Sequence, residues 1–525
     1  MVAPLAHRHP AGRRLTHPDR ILGHVPLPSD PKAPWPPTGQ KPIQDDFATA
    51  DAWWAGDPAR LTALYTGSTS PAGSRWNSFW SRKNTTPTQQ PTDLDRVHVP
   101  IASDIASAAA DLLFGEPLKI TVPGAGGDTP DAGAAKTQDR LDQLVDLVGL
   151  GSTLLEAAEV ASGLGGVYLR PTWDPEIAPH PLLHVIHADR AVPEWRWGRL
   201  VAVTFWTVVS TEGDVVWRHL ERHEPGQILT GLYCGDRDML GVSQPLDAHP
   251  ATARLEAEQD LTVMLGAPVM LARYVPNVRP NRRHRNQPVG RSDCAGLEPL
   301  MDALDEAMTS WMRDIDLGKR RIIVPSEFLE TNGRGKGAVF NTDTRVFTPL
   351  EMDPAHQERA GIEMIDFDIR AGDHAATVAT LAQQIVRSAG YSPQTLGFEG
   401  SGGLRTATEV SADEGKSAAT TCRKQGYWTP PLVDVLELLL LIDARLFNSG
   451  VEPARPQVAF PDPNESSIRE VGTTLNLISL AKAASTKTKV KMLHPEWSPQ
   501  DVDDEVAAIR LEEGVVGDPT GGFPL

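Results

Sequence analysis

Few residues in this chain have the types and spacing to do chemistry. Asp366-Phe367-Asp368 would place two carboxylates on one face of a strand, because successive side chains alternate, and such a pair can hold a divalent cation. No further carboxylate or histidine motif supports it, so a solvated strand face is the plainer reading. His184 and His187 lie near Asp189, but no nucleophile pattern joins them; they read as polar positions of a strand and its turn. Gly163-Leu164-Gly165-Gly166 resembles a phosphate-cradling loop, yet it precedes a strand instead of following one. It reads as a tight turn into Val167-Tyr168-Leu169. The P-loop, zinc-helix, nucleophile-elbow and paired-cysteine patterns do not occur. The expectation is therefore no catalytic centre, no metal and no cofactor.

Charge is the stronger signal. Lys and Arg number 50 against 68 Asp and Glu, a net charge of −18 and a pI near 5.3, which argues against a chain that grips nucleic acid by its overall charge. Arg279, Arg282, Arg283, Arg285 and Arg291 form the one basic patch. It could meet DNA phosphate or an acidic partner; equally, it could be a solvated linker or pair with acidic helices of a neighbouring subunit. The stretch 297–317 repeats apolar residues at helical spacing (Leu297, Leu300, Met301, Leu304, Met308, Trp311, Met312, Ile315) and carries Glu298, Asp302, Asp305, Glu306, Asp314 and Asp316 against a single Arg313. This is either an ordinary amphipathic helix with a solvated acidic face or a wall that does not hold a passing polyanion. The glycine-rich Gly400–Gly403 stretch is a hinge, a mobile loop or a plain connector.

The elements that must position these residues suggest an α+β chain of more than one domain, since 525 residues exceed the ~100–200 of one domain. Residues 1–42, with Pro26, Pro28, Pro31, Pro34, Pro36 and Pro37, are expected to be a disordered tail, and its His7, His9, His17 and His24 to be solvated. Helical patterns follow from Phe47 to Trp80, at 101–114 (apolar face Ile101, Ile105, Ala108, Leu112, Leu113) and at 138–162, with a short strand at Leu118–Val122. From Gly163 to about 275 the period switches to two, giving strands at 166–170, 182–187, 200–209, 214–219 and 227–233. Beyond helix 297–317 come strands at 321–324, 338–341, 345–348 and 362–369, a helix at 373–389 with Asp373 as N-cap, and a helical stretch 406–447 that Pro430-Pro431 should break or kink near Trp428. A last strand at 456–460 precedes a helical region 464–514, where Ser498-Pro499-Gln500-Asp501 is a good helix start. Cys234, Cys294 and Cys422 are too few and too far apart for a disulfide framework or a zinc motif, which fits assembly in a reducing place. No stretch reaches the ~18 apolar residues of a membrane span, and Arg13-Arg14 is not followed by the apolar run of a signal peptide.

Several pieces, in order, resemble the portal proteins of tailed bacteriophages, particularly those infecting actinobacteria. They are Val97–Ile105 (VHVPIASDI), Asp111–Pro117 (DLLFGEP), Gly290-Arg291-Ser292-Asp293 leading into Leu300–Ala307 (LMDALDEA), and Ser310–Ile315 (SWMRDI) with Leu317–Pro325 (LGKRRIIVP). Ser392–Gly397 (SPQTLG), Thr406–Val410 (TATEV) and Lys424–Trp428 (KQGYW) complete the set, which spans about residues 45–510.

The resemblance implies a portal-type subunit with a β-rich wing, a two-helix stem, a small β-containing clip and a C-terminal helical crown. Such subunits assemble as a ring, usually of twelve, at the capsid portal vertex of the virion, after assembly in the host cytoplasm. By position, 43–290 with 456–463 would be wing, 291–320 the first stem helix, 321–371 the clip and 372–396 the second stem helix. The tunnel loop would be 397–405, a long kinked wing helix 406–455, the crown 464–514 and a flexible tail 515–525. Gly400, Ser401, Gly402, Gly403, Leu404 and Arg405 would approach DNA from the tunnel loop, Asp302, Asp305, Glu306 and Asp314 would face the channel, and Arg334 and Lys336 of the clip would meet partners. The implied partners are further copies of the chain, the double-stranded DNA packaged and ejected through the channel, the large terminase, the head–tail adaptor, and the major capsid and scaffolding proteins; a membrane is not among them. Two other readings stand beside this one: another phage head protein, such as a scaffold or minor capsid protein, and a nucleic-acid enzyme with an unrecognised site.

Overall fold

The computed structural model describes residues 27–67, 96–125, 131–317, 370–398 and 407–461, the strand pieces 321–323, 330–331, 338–339 and 363–365, and, toward the C-terminus, 475–476, 478–480, 483–494 and 497–515. The fold mixes helices and sheets, as the alternating periods require. It divides into two compact units, one of Met1–Glu116 with Ile120–Val458, the other of Pro117–Lys119 with Ala459–Leu525.

The first unit opens with α1 (Lys41–Ala55), α2 (Pro58–Gly67), α3 (Ile101–Phe114), strand β1 (Lys119–Thr121), α4 (Ala132–Leu147) and α5 (Leu150–Leu164). On α3 the buried face is Ile101, Ile105, Ala109 and Leu113 with Ala102, Ala106 and Ala110 beside it; the small residues let neighbouring helices approach closely. The chain then enters the β region: β2 (Gly166–Thr172), β3 (Leu182–His187), β4 (Ala191–Arg196), β5 (Arg199–Glu212), β6 (Val215–Glu224), β7 (Gln227–Gly235), β8 (Val242–Gln244), β9 (Glu258–Asp260), the short helix α6 (Leu261–Leu265) and β10 (Arg273–Pro276). Strands β4 to β8 form one antiparallel sheet in sequence order, with β9 also paired to β7, while β10, β2 and β3 form a second. On β6 the buried positions Val216, Arg218, Leu220 and Arg222 alternate as a half-buried strand demands. The two arginines on that face are held through their terminal nitrogens: Arg222 donates to Glu194 (2.5 and 3.2 Å), and Arg218 donates to the carbonyls of Met239 (3.0 Å) and Arg237 (2.8 Å).

The expected tail 1–42 is corrected over its described part. Trp35 is buried in a cluster with Leu220, Tyr233 and Leu240, and Leu27 packs against it. The Trp35 N–H donates to Asp238 O at 2.8 Å, and the Leu240 N–H to Ala33 O at 2.9 Å. The prolines hold this segment extended and so lower the entropy lost on ordering it, and the buried indole, worth about 1.5–3 kcal/mol for a large apolar side chain, together with the backbone bonds to Asp238 and Leu240, offsets part of what remains.

The later elements of this unit are α7 (Glu298–Leu317), the strand pairs β11 (Arg321–Ile323) with β14 (Glu363–Ile365) and β12 (Glu330–Thr331) with β13 (Ala338–Val339), then α8 (Ala371–Ala389), α9 (Ala407–Leu446) and β15 (Gln457–Ala459). Strand β15 pairs with β1. Helix α8 begins at Ala371 with Arg370 at its cap, so Asp373 lies in the first turn rather than capping it. Helix α9 runs continuously through Pro430 and Pro431, so of the expected break or kink the break does not occur. The reason is packing: Trp428, Leu432, Val435 and Leu436 are fully buried around the prolines. That burial offsets the lost N–H donors, and tertiary context overrides the local penalty. The apolar run Leu438–Ile442 ends at Asp443, which is buried and receives Nε (2.9 Å) and Nη2 (2.7 Å) of Arg140 from α4.

In the second unit, helices Thr486–Leu493 and Pro499–Val515 close over Val490, Val502 and Val506. The expected helix start is present: the Asp501 N–H donates to Ser498 Oγ (3.2 Å) and the Ser498 N–H to Asp501 Oδ2 (3.2 Å), a reciprocal box. Among the described residues, no helix is long and apolar enough to cross a membrane.

Candidate functional site

Of the expected site residues, the described ones are the acids of α7, which packs against α8. The two helices pack through Met301 and Leu304 against Ala382, Ile385, Val386 and Ala389, over Ile101, Ile105 and Ala109 of α3 and Trp53 of α1. Toward the C-terminal end of α7 the contact is polar as well as apolar. The rings of Trp311 and His374 stack (6.2 Å, 5°), and His374 Nε2 lies 2.8 Å from Asp314 Oδ2. That hydrogen bond, with Arg370 at 3.6 Å, holds the Asp314 carboxyl below its ordinary value.

The acids of α7 are engaged rather than open. Residues 96–99 run along the helix as a strap. Arg96 Nη2 reaches Asp302 Oδ1 (2.5 Å) and Glu306 Oε2 (3.8 Å) and donates to the Asp302 carbonyl (2.7 Å). The Val97 N–H donates to Thr309 Oγ1 (3.0 Å), and the Val99 N–H to Asp305 Oδ1 (2.9 Å), while His98 Nδ1 meets Asp305 Oδ2 (2.9 Å). Asp305 is 0% exposed, so it is a buried acceptor for the strap and not an acid of an open face, which corrects the expectation. Periodicity alone put it on the polar side; the strap lies outside the helix and could not be inferred from its spacing. Asp302, Glu306 and Asp314 retain exposure. Burial raises the Asp302 carboxyl, Arg96 opposing and Asp305 and Glu306 adding to it.

Beneath this helix pair lies a buried polar node that spacing did not reveal. Asp293 Oδ2 accepts from Lys424 Nζ (2.5 Å), Ser162 Oγ (2.6 Å) and Tyr391 Oη (3.0 Å), and Oδ1 accepts from Asn277 Nδ2 (3.0 Å). Both Lys424 and Asp293 side chains are 1% exposed. Burial pushes the Lys424 ammonium below its usual value and the Tyr391 phenol well above its own. The adjacent Cys294 thiol is raised, also by burial, so it is an inert core thiol rather than a nucleophile. The node joins α5, the loops around 277 and 293, the end of α8 and α9. Thr420 Oγ1, which donates to Gly390 O (2.7 Å), and Ser417 Oγ, which accepts from Ser392 N–H (2.8 Å), extend the link from α8 to α9. Gly165, at φ +91°, and Gly290 let two backbones cross here, since a Cβ on Gly290 would stand 2.1 Å from Gly165 O. The glycine loop 163–166 is thus the end of α5 and a backbone crossing, as its plainer reading held. Gly290, Asp293 and Lys424 belong to the quoted sequence pieces, but their sequence neighbours are mostly polar, so no local pattern marked them as buried.

The basic patch separates into two parts. Arg283 pairs with Asp46 (3.2 Å) and Glu298 (2.8 Å), and His284 Nε2 meets Asp46 (2.8 Å). Arg279 donates to Pro288 O, and Arg285 Nε to Arg282 O (3.3 Å). Arg291 lies near Arg282 and Arg423, and burial first and those cations second lower its guanidinium. In the β region, Arg170 and His223 (Nε2 at 2.5 Å) share Glu221 Oε1. Burial would raise the Glu221 carboxyl, but Arg170 and His223 hold it far below its ordinary range. His184 meets Arg170 at 3.0 Å, His187 lies edge-on to Trp54, and Asp189 pairs with Arg190 (3.3 Å); they are structural positions, as read. No group of three His, Cys, Asp or Glu able to hold a metal occurs among the described residues. Asp366 and Asp368, the tunnel-loop residues Gly400, Ser401, Gly402, Gly403, Leu404 and Arg405, and the clip residues Arg334 and Lys336 lie outside the described residues.

No family model matches the chain, and no curated protein is detectably similar to it. Among solved structures it is similar to the neck of a native GTA particle computed with C12 symmetry, at a TM-score of 0.36 and 14% identity, over 78% of this chain and 95% of that one.

Proposed function

We propose that the chain is a portal protein subunit, one of a ring that forms a channel for double-stranded DNA during packaging and ejection at a capsid vertex. One observation carries the reading beside the ordered sequence resemblance: α7 leads into β11, and β14 leads into α8, with β11 and β14 paired antiparallel. The two helices are thus legs of one hairpin with a small β module at its tip, the order that stem, clip and stem require. The node at Asp293 clamps the base of that hairpin to α5 and α9, as a subunit bearing load along a channel needs.

In this reading Asp302, Glu306 and Asp314 are the channel-side acids. Their partial pairing with Arg96 and His374 leaves a wall that neither binds DNA strongly nor carries a dense field, because each neutralised phosphate would add affinity and slow passage. Residues 400–405 would form the tunnel loop, and Arg334 and Lys336 would meet the terminase and the head–tail adaptor. The chain itself would catalyse nothing and hold no cofactor, and ATP hydrolysis would belong to a separate motor.

Electron microscopy of the purified chain tests this directly. Rings with a central hole are expected. A monodisperse monomer with nuclease or ATPase activity would overturn the proposal in favour of a nucleic-acid enzyme.

A further inference from the structure

We propose that the tip of the β4–β5 hairpin, Arg196-Trp197-Gly198-Arg199, is an anchor that docks onto a second copy of this chain, against its acidic and apolar segment Leu255–Val263. The inference rests on the ring reading for its stoichiometry and names the contact that would build the ring.

The tip is built in an unusual way. Arg196 pairs with Arg199, so the turn has two residues, Trp197 at φ 55° and Gly198 at φ 76°. Two positive φ values define the turn type that suits a right-handed hairpin, and asparagine or glycine is the inexpensive first residue. A tryptophan there is strained, and here its side chain is also 94% exposed. Among the described residues, Trp197 makes no ring contact or hydrogen bond, and Arg196 and Arg199 make no ion pair. The base of the hairpin is nonetheless fixed, because Trp195 packs edge-on to Tyr274 (5.4 Å) and Glu194 holds Arg222. A rigid support thus presents a strained, bare indole between two free guanidinium groups. Tryptophan and arginine are the residues that most often dominate protein interfaces.

The counter-surface lies on the same sheet. Strand β9 and the adjoining α6 expose Glu256, Glu258 and Asp260 together with Leu255 (42%) and Val263 (79%). Asp260 caps α6 by accepting from the Val263 N–H (3.0 Å), which fixes the place of its charge. Two cations and an indole therefore face three carboxylates and two bare aliphatic side chains. The registers Val203 with His223, Glu224 with Gln227 and Gln227 with Asp260 put the hairpin tip and β9 at one end of the sheet. From β5 to β9 there are three strand spacings, about 14 Å at ~4.8 Å each. The tip and its complement are thus different patches on opposite flanks of one sheet. A contact between them is heterologous, and such contacts propagate from copy to copy until they close as a ring.

The test measures assembly of the full chain by mass photometry across a concentration series, with electron microscopy of the products. Trp197→Gly removes the indole while suiting the turn, so its melting temperature should equal or exceed the parent's. Its assembly midpoint should rise at least tenfold. Arg196→Glu with Arg199→Glu, and separately Glu256→Arg with Glu258→Arg, should each weaken assembly by a similar factor, and the two pairs combined should recover to within about threefold of the parent. If all these variants assemble at the parent's concentration, the anchor is refuted while rings still seen would leave the channel reading standing. If the hairpin variants weaken assembly but the combined reversal does not recover it, the proposed counter-surface is refuted. A parent chain that stays monomeric throughout refutes both the anchor and the ring.

Discussion

Replacing Asp293 by Asn tests the buried node most sharply. In the native chain the carboxylate takes four donors, of which Lys424 at 2.5 Å is the only cation. Asparagine keeps one carbonyl acceptor but no charge, so the 1% exposed Lys424 ammonium loses its counter-ion and keeps the face of Tyr391, 5.5 Å away. Breaking one side of a buried pair costs about 3–5 kcal/mol. An independent ceiling comes from protonation, since the lysine can lose its proton instead. From an ordinary value near 10.4, neutralisation at pH 7 costs at most about 4.6 kcal/mol, so the two figures agree. The sign with pH follows. In the variant the folded chain holds a neutral lysine and the unfolded chain a protonated one, so the unfolded state binds more protons and stability recovers as pH rises. The penalty relative to the parent should fall by about 1.4 kcal/mol per pH unit, to about 2 kcal/mol at pH 9. Hydrogen exchange of amides around 417–428, compared with the parent at each pH, reads this as a loss of protection of about three and a half orders of magnitude at pH 7 that shrinks to about thirtyfold at pH 9. A penalty under about 1 kcal/mol, or one that does not change between pH 7 and 9, would refute the account of the node as a desolvated ion pair.

Three further outcomes follow from the strap and the histidines. Asp305→Ala should destabilise by about 2–3 kcal/mol, because it orphans the half-buried Val99 N–H and the His98 ring, and limited proteolysis should then cut near 96–99. Glu306→Ala, which loses only a long exposed contact to Arg96, should change stability by less than about 0.5 kcal/mol in the same unfolding measurement. Burial lowers His184, His219 and His223, so below about pH 6.5 the unfolded chain takes up protons that the folded chain resists. The melting temperature should therefore fall from pH 7 to 5.5, and His219→Gln should flatten the profile; a flat parent profile would contradict this. Glu221, held far below its ordinary range, keeps its contribution throughout that window, since it is lost only at much lower pH.

Sequence by itself determined the elements whose signal is local. The 3.6-residue period of 297–317 and the two-residue period after Gly163 return as α7 and the β sheets, because a face buried against a neighbour must recur with the geometry of its backbone. The Ser498 and Asp501 box is likewise a local hydrogen-bond pattern. Tertiary structure alone decided what each polar residue does. Asp305 looked like a surface acid of its helix until residues 96–99, some two hundred positions earlier, covered it. Trp35 lay among prolines that read as a tail until β6 and β7 offered it a pocket. Pro430 and Pro431 carry a local helix-breaking cost that only the buried surroundings of Trp428 and Leu432 outweigh. Asp293, Ser162, Asn277, Tyr391 and Lys424 are spread over more than 260 residues and meet in one buried node. No periodicity links them, because the free energy that joins a buried charge to its partner depends on distance in space and not on separation along the chain.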